Sequence, residues 1–318
     1  MSRAGPAGEA EAIVGGDRRA LARAITAVES GAGSAEALLQ KLFPRTGRTP
    51  VVGFAGPLGV GKSSLLNLLV AHLRSLGKSV GVVAVDPSSP FSGGSVLGDR
   101  IRLERRADDP DIFFRSMASR GAAGGLSAST RDVTRLLEAA GFSVVLVETV
   151  GSGQVDVAIR GVASTRVVVL VPHLGDEVQT LKAGLFEIAD VFCINKSDLP
   201  GAEAAERDLA DLASLGPSPD GWRARIVRTS TITPSGIPEL WKAIEAHEKF
   251  VATSPGHAAE LRRRLEEEIV GRARDRLTAE LAARLEVDPA LRRLVDRVMA
   301  RELDPRTAAE RLLAAGRR

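Results

Sequence analysis

A phosphate-binding loop is the clearest chemical pattern in this 318-residue chain. It follows the short apolar segment Val51–Ala55 and reads Gly56-Pro57-Leu58-Gly59-Val60-Gly61-Lys62-Ser63, with Ser64 next. The match to G-x-x-x-x-G-K-[ST] is complete. In such a loop, backbone N–H groups surround phosphate oxygens at the start of a helix. The pattern predicts that Lys62 reaches the β- and γ-phosphates and that the Ser63 hydroxyl binds Mg²⁺.

A second motif indicates which base is bound. Asn195-Lys196-Ser197-Asp198 directly follows the apolar segment Val191–Ile194. The Asp198 carboxylate can accept two N–H groups from guanine, whereas adenine would leave that buried acceptor unpaired. We therefore predict a guanine site built from Asn195, Lys196 and Asp198. Ser230 and Thr231 follow a later strand, and we expect them to contribute the last loop around the base.

Acidic residues end two of the predicted strands. Asp86 follows Val80–Val85, and Glu148 follows Val144–Val147. In a sheet of this kind, strand-end carboxylates lie beside the phosphates, so both residues are candidate Mg²⁺ ligands. Gly151 comes three residues after Glu148, and its backbone N–H is expected near the γ-phosphate. Simple capping of strand ends remains an alternative for both acids.

The order of elements predicts an α/β fold. Continuously apolar strands alternate with helices from residue 48 to 254, which is typical of a parallel sheet buried on both faces. Residues 1–47 form a predicted N-terminal extension. It is expected to be disordered to residue 16 and then helical, with Asp17 as a helix cap. Residues 255–318 are expected to form a helical arm, with helix starts at Asp288-Pro289 and Asp304-Pro305.

The composition restricts the partners. The arm holds 15 arginines and 12 acidic residues, and the rest of the chain is neutral, with 28 of each sign. Because these charges alternate, they indicate a solvated helix face rather than a nucleic-acid site. No apolar run approaches the roughly 20 residues of a membrane span, and no signal peptide is expected. The single Cys193 fits a reducing compartment, so we expect a cytoplasmic protein.

An apolar ladder runs along the arm. Its members recur every four residues: Leu261, Leu265, Ile269, Ala273, Leu277, Leu281 and Leu285. Because each step of four drifts by about 40° on an α-helix, the apolar stripe winds around the helix. The stripe favours self-association through the arm. Packing of the arm on its own chain is the alternative.

The motifs together resemble one protein family. Three further segments carry the likeness: Asp86-Pro87-Ser88-Ser89-Pro90, Glu148-Thr149-Val150-Gly151-Ser152-Gly153-Gln154 and Gly175-Asp176-Glu177-Val178-Gln179. With the phosphate loop and the N-terminal helix, they make the chain similar to MeaB/ArgK-type G-proteins, the chaperones of methylmalonyl-CoA mutase and related adenosylcobalamin enzymes. The similarity extends from about residue 14 to residue 315.

The resemblance implies a structure and an activity. It implies a SIMIBI-class P-loop core, an N-terminal helical extension and a C-terminal dimerisation arm. It also implies Mg²⁺-dependent GTP hydrolysis, slow alone and faster with an adenosylcobalamin-dependent acyl-CoA mutase. Switch residues are implied at Asp99, which is also a metal candidate, at Gln154, and at Asp176 and Glu177. Lys62, Glu148 and Gln154 become candidate catalytic residues.

Lys182 adds a hypothesis of its own. It lies too far from Asp176 and Glu177 for a one-turn helix pair, so it could enter the nucleotide site when a partner orders the segment. A solvated lysine at a helix start is the alternative.

His173-Leu174 stands where the family reads Gly-Ala, so the partner is either methylmalonyl-CoA mutase or a close relative.

Three other functions are alternatives. A SIMIBI metallochaperone would need clustered His or Cys ligands, whereas the four histidines here are scattered. A transporter-linked ATPase or kinase is disfavoured by Asp198, and a non-enzymatic binding module by Lys62 and Ser63.

Overall fold

The computed structural model describes residues 5–86, 109–118, 128–151, 158–172, 185–214 and 221–316. The chain divides into two compact units, residues 1–257 and residues 258–318.

A seven-stranded sheet forms the centre of the first unit. Its strands are β1 (Val51–Ala55), β2 (Val80–Asp86), β3 (Ile112–Ala118), β4 (Val144–Glu148), β5 (Thr165–Leu170), β6 (Val191–Ile194) and β7 (Arg225–Arg228). They lie in the order β3-β2-β4-β1-β5-β6-β7, and every neighbouring pair is parallel. Every residue of β1, β4, β5 and β6 is buried. The predicted parallel sheet with both faces covered is therefore confirmed.

Helices cover both faces of this sheet. In chain order they are α1 (Pro6–Val14), α2 (Arg18–Ser30), α3 (Gly33–Leu42), α4 (Lys62–Ser75), α5 (Ala128–Ala139), α6 (Leu185–Ile188), α7 (Ala202–Ser214) and α8 (Ile237–Thr253). One core layer joins α1, α2, α3 and α5 to the sheet. The other joins α4 and α8 to it. The two layers fix the sheet from either side, so its carboxyl edge presents loops at set positions.

The expectation that residues 1–16 are disordered is wrong for the residues described. Pro6 begins α1, where a helix needs no backbone N–H from proline. Ile13 is fully buried and Ala10 nearly so, and both join the core layer shared with α2, α3 and α5. A Gly/Ala-rich composition suggested disorder, but Ala10 and Ile13, with the partly buried Ala12 and Val14, pack α1 on the core.

The helix cap that the sequence predicts at Asp17 is present in the structure. The Asp17 carboxylate accepts hydrogen bonds from the backbone N–H groups of Arg19, at 2.8 Å, and Ala20, at 3.0 Å. These bonds hold the pKa of Asp17 below its ordinary value, because they favour the ionised carboxylate. The cap predicted at the start of α2 is confirmed.

The described residues of the second unit form three helices joined by short turns. After α8 the chain forms α9 (His257–Val287), α10 (Pro289–Met299) and α11 (Pro305–Gly316). Asp288 caps α10 by accepting from Ala290 N at 2.8 Å, and Asp304 accepts from Thr307 N at 3.0 Å. Both predicted helix starts are confirmed. None of the 31 residues of α9 is buried.

Within the described part of the chain, no helix is long and apolar enough to cross a membrane.

Candidate functional site

The phosphate loop connects β1 to α4 and encloses the Lys62 side chain. Lys62 is 5% exposed, and its Nζ donates to the carbonyl oxygens of Gly56, at 2.7 Å, and Pro57, at 3.0 Å. The ammonium is thus held over the loop rather than directed away from it. Because α4 begins at Lys62, the backbone N–H groups of its first turn point toward the same space. This arrangement suits an anion carrying several phosphate oxygens.

Gly151 closes the loop from the β4 side. Its φ is +87°, in the left-handed region that favours glycine. A Cβ atom there would lie 2.6 Å from Lys62 Nζ, 2.7 Å from the Gly56 carbonyl oxygen and 3.0 Å from Leu58 N. The backbone after β4 therefore packs directly on the phosphate loop. The structure brings Gly151, Gly56 and Lys62 together, as the sequence predicted.

Ser63 and Glu148 meet beside the loop. The Ser63 hydroxyl donates to Glu148 Oε1 at 2.6 Å, and Glu148 is 9% exposed. A hydroxyl and a carboxylate are oxygen ligands of the kind that Mg²⁺ prefers, and Mg²⁺ usually completes its shell with waters and substrate phosphates. The described residues contain no cluster of three or more His, Cys, Asp or Glu that could hold a metal by themselves. The Ser63 hydroxyl and the Glu148 carboxylate therefore fit the protein side of a Mg²⁺–nucleotide site.

Of the other predicted metal and switch residues, only Asp86 lies within the described ranges. Asp86 is the last residue of β2, which pairs with β4 so that Ala84 lies opposite Glu148. Its backbone thus ends at the same edge of the sheet as Glu148. Several predicted residues lie outside the described ranges: Asp99, Gln154, Asp176, Glu177 and Lys182.

The guanine motif contacts the phosphate loop directly. Asn195 is fully buried, and its Nδ2 donates to the Val60 carbonyl oxygen at 2.8 Å. Lys196 has a left-handed φ of 55°, and its Nζ donates to the Gly59 carbonyl oxygen at 2.8 Å. Both side chains reach the loop from the end of β6, over 135 and 137 residues of sequence. The base-recognition and phosphate-binding segments therefore form one site.

Asp198 is held by the loop that follows β7. The Ser230 hydroxyl donates to Asp198 Oδ1 at 2.5 Å, and the backbones of Ser230 and Ser235 form an isolated bridge. Thr231 lies in the turn between those two serines. The structure thus brings Ser230 to Asp198 and places Thr231 next to them, at the point where the sequence predicted the last base-contacting loop.

One buried residue of this site, Thr229, begins the Thr229-Ser230-Thr231 stretch that the sequence indicated, but its contact with Asn195 was not predicted. Thr229 is fully buried, and its Oγ1 lies 3.2 Å from Asn195 Oδ1. The sequence places Thr229 directly after β7, just as it places Asn195 directly after β6. These positions predict a contact between the two side chains only once β6 and β7 are known to be neighbours.

A parallel α/β sheet, a phosphate loop and a guanine motif joined to it define a P-loop protein of the GTPase class. The family model described as "Methylmalonyl Co-A mutase-associated GTPase MeaB" matches residues 21–286. The chain belongs to this family.

Individual relatives agree with that assignment. A Pyrococcus horikoshii protein named as a GTPase is 44% identical over 309 residues, covering 95% of this chain and 96% of its own. The mouse "Methylmalonic aciduria type A homolog, mitochondrial" is 34% identical over 265 residues, covering 78% of this chain and 64% of its own. The crystal structure of an LAO/AO transport system kinase superimposes with a TM-score of 0.73 at 28% identity, covering 100% of this chain and 99% of its own.

The close packing at Gly151 yields a prediction. Gly151→Ala should raise the dissociation constant for GDP by about 10-fold or more, because the new Cβ displaces Lys62 or the loop backbone. Gly141→Ala is the matched control: Gly141 has a φ of +85°, and a Cβ there would meet no atom within 4 Å, so it carries the same backbone strain without the contact. Calorimetric titration with GDP measures both variants. Equal affinities would contradict the assigned role of Gly151.

Proposed function

We propose that this protein is a Mg²⁺-dependent GTPase that acts as the G-protein chaperone of an adenosylcobalamin-dependent acyl-CoA mutase. The mutase is methylmalonyl-CoA mutase or a close relative. In this role the protein gates cofactor loading and protects or reactivates the mutase, in the cytoplasm. The observation that carries the nucleotide part is the direct contact of Asn195 and Lys196 with the phosphate loop. The partner is supported by the description of the family to which the chain belongs.

The phosphate end of the site is suited to binding GTP through its polyphosphate. Lys62 now donates to two backbone carbonyls, and phosphate oxygens would take their place as stronger, charged acceptors. The loop from Gly56 to Ser64 and the N–H of Gly151 would donate to the remaining oxygens. Ser63 and Glu148, with Asp86 and Asp99, would hold Mg²⁺, which supplies positive charge that offsets the charge of the phosphates. Gln154 would orient the attacking water.

The part of the site that would hold the base can distinguish guanine from adenine. Asp198 keeps one oxygen on Ser230, so its orientation is set before the base arrives. Asp198 itself is exposed, unlike the buried acceptor that the sequence led us to expect. The guanine N1–H and N2–H groups would complete its hydrogen bonds, whereas adenine has no N–H group at those positions to offer. Asn195, Lys196, Ser230 and Thr231 would surround the same base.

Two rival functions are less well supported. The structural relative named as a transport system kinase raises a transporter-linked nucleotidase. The arrangement of Asp198 and Ser230 favours a guanine nucleotide over ATP. A metallochaperone would require a cluster of soft ligands, and the described residues contain no such cluster.

We propose that the chain has three parts: an extension (1–47), a GTPase domain (48–254) and a dimerisation arm (255–318). Support for the arm comes from α9, where large apolar side chains such as Ile269 and Leu277 are 66% and 58% exposed. Such surfaces are commonly covered by a partner. A second copy of the chain is the partner that we propose.

The proposed dimer can be tested in the full chain. A variant carrying Ile269→Asp and Leu277→Asp should be monomeric by light scattering, because the charges would be buried in the contact. Thr278→Asp, a change at an exposed position of the same helix, should leave the dimer intact. If the unmodified chain is monomeric at micromolar concentration, the arm does not dimerise.

The proposed activity is tested with a panel of purified adenosylcobalamin-dependent acyl-CoA mutases. One of them should accelerate GTP hydrolysis by the wild-type chain. Lys62→Ala should lower the rate by about 100-fold or more, because it removes a charge that stabilises the transition state. Lys182→Ala should lose most of the acceleration if this lysine enters the site in the complex.

The chaperone role, the GTPase activity and the role of Lys182 would each be contradicted by a different result. Hydrolysis that no mutase accelerates would contradict the chaperone role but not the GTPase activity. Full activity of Lys62→Ala would contradict the GTPase assignment itself. Unchanged acceleration of Lys182→Ala would leave that residue as a solvated lysine.

A further inference from the structure

A line of three buried side chains runs beneath the nucleotide site. It starts at Cys193 in β6, passes through Thr229 after β7 and ends at Asn195 after β6. All three residues are fully buried. Cys193 Sγ lies 3.2 Å from Thr229 Oγ1, which lies 3.2 Å from Asn195 Oδ1, and Asn195 Nδ2 lies 2.8 Å from the Val60 carbonyl oxygen. The line therefore ends on the phosphate loop.

The direction of every hydrogen bond in this line follows from its last member. The Val60 carbonyl can only accept, so the Asn195 NH₂ group must face it and the amide oxygen must face Thr229. Thr229 has a single hydroxyl hydrogen, which it must donate to that oxygen. The Thr229 oxygen is then left to accept, and the thiol S–H of Cys193 is the donor beside it.

From this geometry we propose that Thr229 is a positioning residue for nucleotide binding and that Cys193 is the donor that orients it. The inference rests on the proposed function, because it concerns the same guanine nucleotide site. The line keeps the Asn195 amide in one orientation. That orientation couples the guanine motif to the phosphate loop.

Two further observations support the proposal. Burial raises the pKa of the Cys193 thiol to about 12, so the group keeps its proton at neutral pH, as a donor must. A Cβ atom on Gly61 would lie 2.6 Å from Asn195 Nδ2, so the amide fits closely against the loop. A rotated amide would place its oxygen against the Val60 carbonyl, and two acceptors would then face each other.

The line also predicts which substitutions it tolerates. A serine at 229 keeps the hydroxyl, whereas a valine keeps the shape and leaves the buried Asn195 oxygen without a donor. A serine at 193 keeps a donor, and an alanine removes it. Because S–H is a weak donor, the loss at 193 should be smaller than the loss at 229.

The experiment measures GDP binding to the full chain by calorimetry in the presence of Mg²⁺. Thr229→Val should raise the dissociation constant by about 10-fold, and Thr229→Ser by less than about 2-fold. Cys193→Ala should raise it by about 3-fold, and Cys193→Ser should leave it near the wild-type value. Thr134→Val is the control for a buried threonine, since its hydroxyl donates to the Arg131 carbonyl within α5, away from this line.

A double-mutant cycle distinguishes positioning from general packing. If Thr229 acts through Asn195, adding Thr229→Val to Asn195→Ala should weaken GDP binding no further. Full additivity of the two changes would overturn the proposal, as would equal affinities of Thr229→Val and Thr134→Val. If Thr229→Val does not fold, the GDP affinities of Cys193→Ala and Cys193→Ser provide the test instead. Equal affinities of these two variants would overturn the proposal. A wild-type chain that binds no GDP would contradict the proposed function as well, whereas normal wild-type binding with unaffected variants contradicts this inference alone.

Discussion

The site depends on how closely the phosphate loop can approach the two strands beside it. At Gly56, where the chain leaves β1, φ is +140° and a Cβ atom would lie 2.2 Å from the Val169 carbonyl oxygen of β5. No side chain fits in that gap, so only glycine allows the loop to turn there. Because the loop lies this low against β5, the end of β6 comes within reach of it, and Asn195 can bond to Val60.

The parallel sheet supplies the rest of the arrangement. β1 lies between β4 and β5, with β6 and β7 beyond β5, so their carboxyl ends share one edge. Glu148, Asn195 and Thr229 each follow or end one of these strands, and all three side chains are buried. Their positions are therefore set by the sheet and its two core layers, which are far stiffer than loops.

Local patterns were predictable, and so was the meeting of the strand-end motifs at one site, but the individual hydrogen bonds between distant segments were not. The loop from Gly56 to Ser63 is a continuous motif whose geometry is encoded by its own residues, and the Asp17 cap is equally local. β3 was missed because Arg115 and Ser116 interrupt its apolar residues, and α1 because only Ala10 and Ile13 mark its buried face. The contact of Ser230 with Asp198 spans 32 residues and exists only because β6 and β7 are paired. The pairing of β6 with β7 could not be predicted from the sequence.

The central claim is that the site recognises guanine through Asp198, and one calorimetric comparison tests it directly. The wild-type chain should bind GTP about 100-fold or more tightly than ATP, since a site built to hydrogen-bond one base rejects another that leaves its groups unpaired. Asp198→Asn should lose most of that preference and gain affinity for XTP, whose exocyclic oxygen accepts from the new amide. Equal affinity of the wild-type chain for GTP and ATP would contradict the account.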